Sequence, residues 1–148
     1  SLLRSPKWPD PTADRGTHAI EYSLYPHPKR WDEASTVRRG YEYNSPLLAV
    51  RTDRHRGRQP ASQSMVSFMG EGLVLTSIKK AEEGNAWIMT WYNTGPNERS
   101  AELTLPSQPR SVHLSNTMEE SGTSVAVNGR TLKVPTRPFG LVVLKVSW

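Results

Sequence analysis

Cysteine is absent from the 148 residues. That removes disulfides and thiolate metal sites from consideration. No asparagine is followed by the x-Ser/Thr pattern of a glycan acceptor. Apolar residues are scarce at 35%, against roughly 45–50% in average globular chains on a slightly wider residue set. No run approaches the roughly 18 apolar residues that a membrane-spanning helix needs. The chain has no leading methionine and no signal-peptide layout. Ser-Leu-Leu-Arg-Ser-Pro reads as a start inside a longer chain, and a cytoplasmic setting is expected.

Proline and glycine are plentiful, with twelve prolines and ten glycines. Such punctuation suits many short strands joined by turns and leaves little room for long helices. The net charge is +5, and 13 of the 19 basic residues are arginine. A basic balance invites a nucleic-acid reading, but the distribution argues against it. The one dense cluster, Arg51, Arg54, His55, Arg56 and Arg58, sits in a polar stretch with Gly57 and Pro60. No aromatic residue is interleaved there to stack on bases. It reads as a basic linker over residues 51–64, with no nucleic acid and no membrane among the expected partners.

Residues 1–16, SLLRSPKWPDPTADRG, form a loop held extended by Pro6, Pro9 and Pro11 around Trp8. Arg4, Asp10, Asp14 and Arg15 lie close together in it. Two readings stay open: a displayed binding surface, or a surface connection with Trp8 pinned to a neighbouring sheet. Residues 17–48 carry the densest signal. His18, Ile20, Tyr22 and Leu24 alternate with Ala19, Glu21, Ser23 and Tyr25, the period of a half-buried strand. Pro26 and Pro28 end it. Trp31, Ala34, Val37 and Tyr41 recur at helical spacing, and Asn44-Ser45-Pro46 stops that helix. A second apolar run occupies residues 47–50. Two strands and one helix enclose no core, so Ile20, Tyr22 and Leu24 must pack on something outside the segment.

Beyond the linker the pattern becomes a series of short strands. They fall at residues 65–69, 73–78, 86–92, around Ala101, Leu103 and Leu105, around Val112 and Leu114, and finally at 141–148. Residues 124–127 and 131–134 flank Asn128-Gly129, a strong hairpin signal. Trp87, Met89 and Trp91 share one face, which a sandwich core explains better than a sugar platform does. Seven or eight strands predict an antiparallel β-sandwich of immunoglobulin-like size over residues 65–148.

Catalytic patterns are lacking. His18, His27, His55 and His113 match no zinc spacing, and there is no nucleophile elbow or phosphate loop. Asp10 and Asp14 are the one carboxylate pair worth naming for glycoside chemistry. Nothing in the sequence marks them as buried or tuned.

The quoted residues nevertheless resemble a known family. SLLRSPKWPDPTADRG, then H-x-I-x-Y-S-L-Y-P-H from His18 to His27, W-x-x-A from Trp31 and Y-E-Y-N-S-P-L from Tyr41 resemble the C-terminal region of α-mannosidases of glycoside hydrolase family 38. The stretch SMVSFMGEGLVLTSIKKAEEGNAWIMTWYNT and the closing V-P-T-R-P-F-G-L-V-V-L-K-V look like the terminal β-sandwich of the same enzymes, closest to their cytoplasmic and bacterial branch. The resemblance implies an all-β chain in three parts. Residues 1–50 would close a larger central β-sandwich with one short helix, 51–64 would link, and 65–148 would be the terminal small sandwich. In that family a separate N-terminal α/β domain holds zinc through histidines and aspartates and hydrolyses α-mannosides with retention. It uses a nucleophilic aspartate and a second carboxylate as acid/base. The resemblance therefore implies no catalytic residue, no metal ligand and no cofactor in these 148 residues, which alone would be inactive. Their expected partners are that catalytic domain and, through it, mannosides, with a homo-oligomer left open. Arg4, Asp10, Asp14 and Arg15 become candidates for the rim of the substrate cleft. The rival readings are an autonomous carbohydrate-binding module and a structural oligomerisation module.

Overall fold

The computed structural model describes residues 2–148, and all its strands lie beyond residue 66. The central strand of the interior is β3 (Ala86–Asn93), whose side chains are bulky on both faces. Trp87, Met89 and Trp91 turn inward as the alternation predicts, while Ala86 and Ile88 join Ala81 and Val143 in a small second cluster on the other side. On one flank β3 pairs with β2 (Leu73–Lys80), and on the other with β8 (Leu141–Ser147). Beyond β8 lie β5 (Ser111–Ser115) and β6 (Ser121–Ser124), giving a five-stranded sheet of order β2-β3-β8-β5-β6. A three-stranded sheet faces it, with β4 (Arg99–Thr104) between β1 (Ser67–Met69) and β7 (Thr131–Thr136). Every pairing is antiparallel.

The core is shared by the two sheets. Met89, Trp91, Val112, Leu144 and Val146 come from the larger sheet, and Ala101, Leu103, Leu132 and Val134 from the smaller. Phe68 meets Trp91 edge-on at 5.5 Å between ring centres. This two-layer arrangement is the antiparallel sandwich the turn spacing predicts. One buried polar pair sits inside it: the Trp91 indole donates to Thr136 Oγ1 at 2.9 Å, with both residues 0% exposed. Asn93, also buried, ties two loops together at one end of the sandwich. Its amide donates to the carbonyls of Asn97 and Arg137, and its Oδ1 accepts from Gly95 N–H.

Over the outer face of the larger sheet, the loop between β5 and β6 reaches back toward β2. Glu119, in the left-handed region at φ 63°, directs its carboxylate to Lys79 at 2.7 Å and accepts from the Glu82 N–H at 2.8 Å. Its own carbonyl accepts from Lys145. A bulky residue at such a φ is uncommon, and here three contacts hold it.

Four expectations need correction. The hairpin predicted across Asn128-Gly129 is reduced to its turn: Asn128 and Thr131 exchange both backbone hydrogen bonds around Gly129 and Arg130. Gly129 has φ 60°, which suits glycine. Before the turn, the Val125 N–H bonds Val112 in the other sheet, so the chain changes layers where a longer hairpin was expected. The helix α1 (Thr36–Asn44) starts later than its apolar spacing suggests. Ser35 before it is left-handed at φ 56°, a conformation no right-handed helix continues through, so Trp31 and Ala34 lie in the preceding turns. Its end is as predicted, with the Asn44 side chain bonding Gly40 and Ser45 bonding Tyr41 ahead of Pro46. Strands are expected at residues 18–25 and 47–50, and neither forms. Both segments carry no ladder pairing, and Tyr22, Leu24 and Leu47 are 73%, 84% and 100% exposed. Alternation creates a strand only where a sheet edge offers it hydrogen bonds. The sandwich offers none there. Finally, the strand expected from residue 65 begins only at Ser67, and residues 51–66 contain no helix or strand.

Candidate functional site

The loop proposed from sequence as a cleft rim has definite local order. Two successive turns run through it, closed by Ala13 N–H on the Asp10 carbonyl and Arg15 N–H on the Thr12 carbonyl, each at 3.2 Å. Asp10 nucleates them. Its Oδ1 accepts from both the Thr12 N–H at 2.8 Å and the Thr12 hydroxyl at 2.7 Å, the local capping for which aspartate is favoured in turns. These bonds hold the Asp10 carboxyl below its ordinary range, the backbone contact first. Asp14 follows at φ 57°, and its carbonyl accepts from His18 Nε2 at 2.9 Å. The carbonyl can only accept, so this fixes the proton on Nε2.

Arg4, Asp10, Asp14 and Arg15 are all exposed. The structure places Asp10, Asp14 and Arg15 in one double turn and Arg4 in the irregular segment before it. Among the described residues no ion pair joins any of the four. A glycosidase acid needs a carboxyl raised by burial or by a like charge, and Asp10 is shifted the other way. The pair therefore shows no acid/base tuning.

Sequence reasoning left Trp8 undecided between display and burial. Among the described residues the indole is 86% exposed and packs on no sheet. A signal was present in the sequence. Pro6 and Pro9 flank Trp8 with charged neighbours, and no apolar residue stands at strand or helix spacing to bury it. Trp87 and Trp148, by contrast, meet edge-on at 5.4 Å beside the core.

Two further features were not legible. The outer face of the three-stranded sheet forms a shallow groove of about 450 Å³, walled by Met69 and Val127 and floored by Thr104, Thr131 and the Glu102–Lys133 ion pair. Among the described residues, helix α1 meets the sandwich through a hydrogen bond from Tyr92 Oη to Tyr41 Oη at 3.4 Å. That hydrogen bond, with partial burial, pushes the Tyr92 hydroxyl up to about 12. Among the described residues no three histidine, aspartate or glutamate side chains stand together as a metal site would require.

With this geometry in place, comparison with known proteins identifies the sandwich. Residues 72–141, from the turn before β2 to the first residue of β8, match the glycosyl hydrolases family 38 C-terminal beta sandwich domain. The chain carries a family 38 C-terminal domain. It is 32% identical over 124 residues to alpha-mannosidase G of Dictyostelium discoideum, covering 81% of this chain and 11% of that protein. It is 42% identical over 83 residues to mouse alpha-mannosidase 2C1, covering 55% of this chain and 8% of that protein. To the alpha-mannosidase of Saccharomyces cerevisiae it is 33% identical over 102 residues, covering 68% and 9% respectively. The chain thus spans about a tenth of the length of these curated relatives. Within the family 38 match lie the buried Trp91, Asn93 and Thr136, whereas Arg4, Trp8, Asp10, Asp14 and Arg15 precede it.

Proposed function

We propose that this chain is the non-catalytic C-terminal β portion of an α-mannosidase, and that it braces a catalytic domain carried elsewhere in the polypeptide. The observation that carries the reading is an imbalance of burial. The sandwich closes its own core around Trp91 and Met89, while Ile20, Tyr22, Leu24, Leu47 and Val50 stand in solvent. Apolar surface of that extent calls for a partner in the working protein, and relatives about seven times longer than this chain have the length to carry one. In this reading residues 17–25 and 47–50 complete a sheet of the larger central sandwich, the basic stretch at 51–64 links, and Arg4, Asp10, Asp14 and Arg15 stand at the rim of the cleft. Support for a cytoplasmic setting comes from the resemblance to the cytoplasmic and bacterial branch.

Hydrolysis of terminal α-mannosides, with zinc and with retention, is assigned in this proposal to the catalytic portion. The residues here do not fit the metal, since no three candidate ligands among those described come together. No step is routed through it. What this chain supplies is positional: guanidinium groups at the rim donate to sugar hydroxyls, and the Asp10 carboxylate accepts from them.

The coding sequence immediately upstream of Ser1 is the decisive test. An α/β domain bearing histidines and aspartates there is the expected result, and a start codon adjoining Ser1 would overturn the proposal. In the intact enzyme, Arg4→Ala should then raise KM for mannosides. Unchanged kinetics would remove Arg4 from the rim.

A further inference from the structure

Phe139 stands where a turn ordinarily places glycine. Arg137, Pro138, Phe139 and Gly140 form a four-residue turn closed by the Gly140 N–H on the Arg137 carbonyl at 3.0 Å, with Phe139 left-handed at φ 51°. Proline in second place and a positive φ in third are the marks of a type II turn, whose third residue is usually glycine. A bulky side chain there is strained. The backbone is nevertheless held in that shape. The Phe139 N–H bonds the Gly95 carbonyl at 3.1 Å, the Gly140 carbonyl accepts from the Asn93 N–H at 2.9 Å, and the buried Asn93 amide donates to the Arg137 carbonyl. Packing within the sandwich does not account for the strain, since Phe139 is 68% exposed. Strain that the surroundings enforce in this way is concentrated at sites of contact with a ligand or partner.

The turn leads into β8 beside a bare part of the larger sheet. On the outer face, Val74, Tyr92 and Leu141 are register partners across β2, β3 and β8, and Leu141 is 56% exposed. No charged residue stands in that row, and the exposed Arg99–Glu71 ion pair lies at the same end of the sandwich. An uncharged centre with charge at its margin is the anatomy of a protein contact. The opposite end of the face is already covered by the β5–β6 loop, where Glu119 engages Lys79 and Lys145. At the bare end Tyr92 meets Tyr41 of α1. That helix belongs to the segment whose exposed Ile20, Tyr22 and Leu24 the bracing role assigns to the upstream polypeptide, so one partner surface passing Tyr41 would reach Tyr92 and Leu141. Relatives much longer than this chain have the length to supply it. We propose that Phe139 and Leu141, beside Tyr92, anchor the terminal sandwich to the upstream portion of its own polypeptide, and that the left-handed turn presents Phe139 for that contact. The proposal deepens the bracing role and rests on it.

The test is a change of sign, read from hydrogen exchange of the β8 amides in two proteins. In the 148-residue chain, Phe139→Gly relieves the turn and removes a ring with little packing, so exchange should slow. Phe139→Asn tolerates the left-handed region without adding glycine's freedom to the unfolded chain, and it should act in the same direction. In the intact enzyme both variants lose the anchor, and the same amides should exchange about tenfold faster. Phe139→Tyr keeps the ring and should stay near the wild type in both proteins. Slower exchange in both would show that the ring has no partner, and faster exchange in both would show that it serves its own sandwich. Either result, or unchanged exchange in the intact enzyme, would overturn the docking. So would a dimeric 148-residue chain that Phe139→Gly makes monomeric, because the row would then belong to a second copy. A start codon adjoining Ser1 removes the bracing role and the docking together, whereas a sign that does not reverse removes the docking alone.

Discussion

Thr136→Val isolates one atom of the sandwich interior. Valine preserves the shape of the threonine, so the packing around the site is kept, but the acceptor of the Trp91 indole disappears. The 2.9 Å bond is fully buried, and bulk solvent does not reach a site with no exposure. A buried donor left unsatisfied costs about 1–3 kcal/mol. For a sandwich of this size each kcal/mol lowers the melting temperature by about 4–8 °C. Urea unfolding of the full chain, followed by tryptophan fluorescence, should therefore show a lower midpoint with an unchanged slope. A second arm excludes a packing artefact. In a Trp91→Phe background the donor is already gone, so Thr136→Val should be close to neutral, and the cycle should return a coupling of about 1 kcal/mol or more. A loss below about 0.5 kcal/mol in the wild-type background would refute the reasoning, because that lies within ordinary surface noise.

Three other outcomes follow from contacts described above. Glu119→Gln removes the charge facing Lys79. The Glu119 carboxyl is held below its ordinary 4.5 by the Lys79 hydrogen bond and then the Glu82 N–H, so its stabilisation is present above that value and fades as pH falls through the lower folded one. The variant should unfold more readily at neutral pH and lose less on acidification, and parallel acid limbs would count against the clamp. Tyr41→Phe should bring the Tyr92 hydroxyl down from about 12 toward its ordinary 10.0, read by tyrosinate absorbance. Because that folded value is raised, the contribution is intact below pH 10 and disappears between 10 and 12, and an unmoved titration would mean that the Tyr41 contact is not its cause. In hydrogen exchange, amides in residues 17–50 should exchange faster than those of β3 and β8, where the ladder is complete. Equal protection would show that the first segment is stable alone.

Much of the sandwich was legible because its strands carry local signals. Ala86 to Asn93 alternates so strongly that its two faces could be assigned before any pairing was known, and Gly70-Glu71-Gly72 and Asn93 to Asn97 mark turns by residue type alone. What the sequence could not convey is partnership. Ser121–Ser124 reads as nothing, yet it pairs with β5 because that edge is free, while the promising residues 124–127 leave their hairpin to satisfy Val112. The strand signal at residues 18–25 is equally strong and stays unpaired, since alternation records amphipathicity and not the presence of a neighbour. At the rim loop, the residue types were visible and their arrangement was not. The capping of Asp10 by Thr12 and the exposure of Trp8 depend on backbone turns that proline and aspartate permit without dictating.

The strand order carries a consequence for synthesis. β8, the last of the eight strands to be made, sits in the middle of the larger sheet between β3 and β5. Until it emerges, the larger sheet exists only as two separate hairpins, β2-β3 and β5-β6, each marginal alone in water. The sandwich therefore closes in a single late event, and a chain stopped before Leu141 would lose the seam of the sheet instead of an edge. Its exposed halves would be substrates for chaperones and proteases, so a stop codon within β8 should abolish accumulation of the protein as completely as one far upstream.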